Sequence, residues 1–240
     1  MNGIKNMTFI QHLEELRWVL LRILIINFIL ICFSFYYSNL IQGILLEPIN
    51  SMNLTNFKLQ DIKITSPFTA KIIISLFTAV MFSFPYIVYE FYKFIYPAFN
   101  KLSVFFIIFL FCFSIILFVS GCYFGYRYLL PISISFFVGL IDNQVQFSPE
   151  RVSYIFYSYW LILICGLVYQ LPVITLFLTK LRIITYEFLK QMRSYSIILF
   201  LVMGALLSPP DPVSQLLLAL PLYILYEISI MISYFFRVKK

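Results

Sequence analysis

Long apolar runs separated by short polar segments dominate the chain. A helix needs about 20 apolar residues to cross a bilayer, and several of the runs come close to that length. The pattern predicts an all-α membrane protein, with residues 1–240 forming a single polytopic domain and no soluble domain. The six predicted spans are 18–37, 72–91, 104–126, 155–178, 197–207 and 213–236.

The fifth predicted span is unusually short. About 11–13 apolar residues reach only about 20 Å of a hydrocarbon core that is about 30 Å thick. The turn after it, Ser208-Pro209-Pro210-Asp211-Pro212, is rich in prolines, which lack amide hydrogens and disfavour helix in the preceding residue. The last two spans are therefore predicted to form a short hairpin that neighbouring helices shield or at which the bilayer thins.

Composition agrees with a membrane protein, since 62% of the residues are apolar, 11% are charged and the mean hydropathy is +0.95. The net charge of +7 does not indicate nucleic-acid binding, because the basic residues lie at the ends of apolar runs and form no aromatic-interleaved patch. More Lys and Arg lie in the segments on the same side as the termini than in the others. The positive-inside rule therefore predicts both termini on the inner side.

The first informative motif, His12-Leu13-Glu14-Glu15-Leu16-Arg17, lies just before the first span. Acidic residues at a helix start are favoured by the helix dipole alone. Alternatively, carboxylates at the inner interface can each accept a guanidinium in a bidentate pair. The motif alone leaves both interpretations open.

The second motif lies in the last hairpin, where LSPPDPVSQ is followed by ALPLY and LYE. It places Gln215 at the start of a span and Glu227 within that span. An ionisable residue inside a span is costly, which makes Glu227 a candidate functional residue.

Together these motifs resemble the TatC family of the twin-arginine (Sec-independent) protein translocase. The resemblance implies six helices arranged like a cupped hand, with both termini inside. It also implies a receptor that binds twin-arginine signal peptides and recruits small single-span subunits, within an oligomeric complex that moves folded proteins across an energised membrane. Further matches are Pro48, Ser66-Pro67-Phe68, Phe94-Ile95-Tyr96-Pro97-Ala98 and Gln170-Leu171-Pro172-Val173.

The resemblance also assigns roles to residues. Two positions depart from many relatives: Ser103 replaces a carboxylate that would receive one signal arginine, and Gln170 replaces a glutamate. The sequence therefore predicts that Glu14 and Glu15 each take one arginine, and that losing either weakens binding about tenfold. The alternative is that Glu14 only pairs with Arg17. The implied signal-peptide residues are Glu14, Glu15, Arg17, Phe94 and Pro97, and the implied residues of the concave face and outer side are Pro48, Gln170, Asp211, Gln215 and Glu227.

Other function classes have less support. An ion-coupled transporter or channel could use Glu227, Arg127 and Gln170 as a polar path, but the chain shows no internal repeat. The single histidine, His12, excludes a bis-histidine haem, and no catalytic residue, metal or cofactor is predicted. Arg22 and Arg127 are expected to reach the interface with their charged ends, and Glu90 is expected to be interfacial.

The Phe-, Ile-, Tyr- and Asn-rich composition and the expected lack of a presequence suggest a mitochondrially encoded protein of the inner membrane. A bacterial plasma membrane or a plastid thylakoid membrane is the alternative.

Overall fold

The computed structural model describes residues 9–50, 59–95, 104–140, 148–181, 183–207 and 212–235. Nearly all of these residues are helical, apart from one isolated bridge between Gln60 and Glu150. The helices are α1 (Phe9–Tyr36), α2 (Ser38–Asn50), α3 (Ser66–Ile95), α4 (Val104–Phe124), a π-helical turn (Gly125–Leu129), α5 (Leu130–Gly139), α6 (Arg151–Val168), α7 (Leu171–Lys180), α8 (Tyr186–Gln191), α9 (Arg193–Leu207) and α10 (Pro212–Phe235).

Five helical stretches in the described part of the chain are long and apolar enough to cross a membrane, and one further apolar helix, Arg193–Ala205, is shorter. The predicted all-α architecture with a short fifth span is therefore confirmed. α10 begins at Pro212, where a missing amide hydrogen costs no helical bond.

The structure differs from the predicted pattern in three places. α2 lies in a segment predicted as loop, held by hydrogen bonds from Tyr126 to the Ile44 carbonyl (2.7 Å) and from Tyr154 to the Leu45 carbonyl (2.9 Å). The third span continues past its predicted end through the π turn into α5. The fourth span is interrupted between α6 and α7, because Pro172 lies in the first turn of α7 and cannot continue a helical ladder.

The helices pack through small residues and buried hydrogen bonds. α1 lies against α3, and α6 packs against both α3 and α4. Gly121 and Gly125 are spaced as in a GxxxG motif and face α6, where a Cβ on Gly121 would lie 2.7 Å from the Cys165 carbonyl oxygen. The Thr78 and Tyr159 hydroxyls bond at 2.7 Å between α3 and α6. Such contacts drive helix association where lipid removes the hydrophobic contribution.

Candidate functional site

The start of α1 meets the end of α3 through two aromatic rings. His12 stacks on Phe94 with ring centroids 4.1 Å apart and planes 10° apart. His12 and Glu15 are one turn apart on α1, so both side chains lie on one face of the helix. The motif at the start of α1 and the Phe94 segment, which lie more than 80 residues apart in the sequence, therefore form one site.

The Glu15 carboxylate is the unusual group of this site. Its side chain is 29% exposed, yet its Oε2 atom is buried and has no hydrogen-bond partner among the described residues. His12 Nδ1 is the nearby cationic candidate at 3.9 Å, which is beyond hydrogen-bond distance. A buried acceptor without a partner is destabilising, and this oxygen has room in its hydrogen bonding for a further donor.

The other predicted signal-peptide residues differ from Glu15. Glu14 and Arg17 are both exposed, and the structure shows no ion pair between them. The alternative in which Glu14 only pairs with Arg17 therefore has no support in the geometry. Pro97 and Ser103 lie outside the described residues.

An ion pair lies deeper along the same α1–α3 contact. Arg22 Nη2 donates to Glu90 Oε2 at 2.8 Å, and the Tyr86 hydroxyl donates to Glu90 Oε1 at 2.7 Å. Glu90 is only 2% exposed. Arg22 thus binds a buried carboxylate of α3, and the interfacial position of both groups stays a prediction. The sequence analysis missed this pair, whose partners are 68 residues apart.

Gln170, predicted on the concave face, is buried where α6 ends and α7 begins. The Ser114 hydroxyl donates to Gln170 Oε1 at 2.6 Å, and Gln170 Nε2 donates to the Ser114 carbonyl at 3.1 Å. Both the oxygen and the nitrogen of the Gln170 side-chain amide thus bond to Ser114, which joins the interrupted span to α4.

The predicted outer-side residues fall into different environments. Pro48 is buried in α2, and Asp211 lies outside the described residues. Gln215 Nε2 donates to the Leu201 carbonyl at 3.0 Å, which joins α10 to α9.

Glu227 is paired within the same hairpin. Its Oε2 accepts from Arg193 Nη2 at 2.6 Å, and its Oε1 accepts from the Tyr223 hydroxyl at 3.0 Å. Sequence analysis missed Arg193 as the partner, although a cation at the start of a short span facing a carboxylate in the next span is a recognisable signal. Arg127 is exposed in the π turn, and its contact with the interface stays a prediction.

Comparison with known proteins agrees with the motifs. The family model for the Sec-independent protein translocase protein (TatC) matches residues 11–221. The chain is 34% identical to the TatC protein of Aquifex aeolicus, with 95% of each chain covered, and 32% identical to that of Rickettsia prowazekii, with 97% and 94% covered. A crystal structure of the twin-arginine translocase receptor TatC matches with a TM-score of 0.80 and 33% identity, covering 94% of this chain and 99% of that one. The chain therefore belongs to the TatC family.

Proposed function

We propose that this chain is the receptor and core subunit of a twin-arginine translocase, and that it binds a signal-peptide arginine at Glu15. As a TatC protein it is a component of protein transport and not an enzyme. The observation that carries the proposal is the buried Oε2 of Glu15, which has no hydrogen-bond partner in the described part of the chain and lies beside the stacked rings of His12 and Phe94. A guanidinium supplies the paired donors that such a carboxylate lacks.

We also propose the setting in which the receptor works. Its partners are signal peptides of folded cargo, small single-span subunits and further copies of itself in the bilayer, with no nucleic acid. The distribution of Lys and Arg supports termini on the inner side. The residue bias supports the mitochondrial inner membrane, and the bacterial relatives support a bacterial plasma membrane as the alternative.

A polar transport path has no support in the described residues. Of its three candidate groups, Glu227 is paired with Arg193 and Gln170 with Ser114. Arg127 lies exposed in the π turn. Glu227 and Gln170 are thus each bonded to a side chain of a neighbouring helix. The geometry therefore favours structural roles for both residues.

Signal-peptide affinity tests the assignment of Glu15. Glu15→Gln should weaken binding of a twin-arginine peptide about tenfold or more, because a charge-assisted bond worth about 1.5–3 kcal/mol is lost. Glu14→Gln should weaken binding less, about two- to fivefold, because exposed pairs contribute about 0.2–1 kcal/mol. The measurement is the equilibrium affinity of a fluorescent peptide for the purified protein in detergent.

Glu47→Gln is the matched control, since it removes an exposed carboxylate from α2, the helix that follows the opposite end of α1. It should bind the peptide like the parent. Equal affinity of Glu15→Gln and Glu47→Gln would refute the assignment, whereas an equally large loss in Glu14→Gln would indicate the two-carboxylate clamp.

The outer hairpin should affect transport more than recognition. Asp211→Ala and Gln215→Ala are expected to impair transport into energised vesicles while peptide affinity stays nearly unchanged, because both positions adjoin the turn at the other end of the spans. Gln215→Ala also loses its bond to Leu201, worth about 1 kcal/mol of stability. Transport and thermal stability should be measured together, with Gln191→Ala as an exposed control; parallel losses of peptide binding and transport would contradict this division.

A further inference from the structure

We propose that His12 is a positioning residue for Glu15, and that its ring, stacked on Phe94, sets how strongly the receptor binds a signal arginine. This inference rests on the proposed function. His12 contacts both halves of the site, because its ring stacks on Phe94 of α3 while its Nδ1 lies 3.9 Å from Glu15 Oε2.

The ring stack between His12 and Phe94 orders the start of α1. The first turn of a helix has unsatisfied amides and opens easily, and His12 lies near the start of α1. Stacking on Phe94 fixes that turn against the end of α3. The Glu15 carboxylate is thereby kept partly out of water, which strengthens its bond to an incoming guanidinium. Without the ring, Glu15 would be more hydrated and would bind an arginine more weakly.

Two His12 variants test this role. His12→Phe keeps a ring on Phe94, and His12→Ala removes it. The probe is a blocked twin-arginine peptide, and the measurement is its affinity for the purified protein. His12→Phe should bind the peptide like the parent, and His12→Ala should bind it about three- to tenfold more weakly.

Two results would overturn the inference: His12→Ala binding the peptide like the parent, or His12→Phe binding it as weakly as His12→Ala. Glu15→Gln distinguishes this failure from failure of the proposed function. If Glu15→Gln loses affinity while the His12 variants behave like the parent, only the role of His12 is wrong. If Glu15→Gln itself binds like the parent, the proposed arginine site is wrong. Size-exclusion profiles confirm that each variant is folded.

Discussion

Gly121→Val should strongly destabilise the protein. A Cβ at this position would lie 2.7 Å from the Cys165 carbonyl oxygen and 2.8 Å from Tyr169 Cγ. The carbonyl belongs to the backbone of α6 and cannot turn away. Overpacking typically costs about 1–3 kcal/mol, so Gly121→Ala should lower the free energy of unfolding by that amount and Gly121→Val by more. The measurement is the fraction that stays monodisperse in detergent after heating.

Gly43→Ala is the matched control, because a Cβ there meets no atom within 4 Å. Alanine in a helix is favoured over glycine by about 0.5–1 kcal/mol, so this variant should be as stable as the parent or slightly more stable. Gly204→Ala should behave like Gly121→Ala, since its Cβ would lie 2.8 Å from the Gln215 carbonyl oxygen, which also belongs to the backbone. Full stability of Gly121→Val would show that α4 and α6 do not cross as closely as described.

Arg22→Met should also be strongly destabilising, because it leaves the buried Glu90 carboxylate with only the Tyr86 hydroxyl. Breaking a buried pair costs about 3–5 kcal/mol, and the 40% exposure of Arg22 places the expected loss at about 3 kcal/mol or below. The double variant Arg22→Met/Glu90→Gln should recover much of that loss, since a neutral amide can still accept from Tyr86.

The readout is thermal stability in the same detergent, with Arg17→Met as the control for removing an exposed arginine of α1. Equal stability of Arg22→Met and Arg17→Met would contradict the account of the ion pair. A double variant less stable than Arg22→Met would show that Glu90 needs its charge for a reason other than Arg22.

Five of the six spans could be predicted because each is a long apolar run with polar ends, and the short fifth could be predicted from the apolar residues before the proline-rich turn. Their interruptions and extensions depend on local backbone chemistry. Arg127 and Pro131 break the apolar pattern, yet the helix continues because a π turn precedes Pro131, which lies in the first turn of α5. A widened turn accommodates the missing amide hydrogen of proline. Hydropathy carries no signal for such a turn.

The candidate site could be predicted only in part. The motif around Glu15 and the position of Phe94 follow from the resemblance to the family, but their contact through His12 is a tertiary feature. The ion pairs of Arg22 with Glu90 and of Arg193 with Glu227 were missed for the same reason. The sequence analysis also did not use the Gly121–Gly125 spacing, which is a helix-packing signal.

The most direct test of the central claim is a double-mutant cycle between Glu15 and each arginine of the signal peptide. Affinities are measured for the parent and Glu15→Gln, each with the twin-arginine peptide and with peptides carrying Gln in place of either arginine. The account predicts a coupling energy of about 1.5 kcal/mol or more between Glu15 and one of the two arginines. When Glu47→Gln replaces Glu15→Gln in the cycle, the account predicts no coupling energy. Coupling below about 0.5 kcal/mol for both arginines would contradict the claim that Glu15 receives the signal arginine.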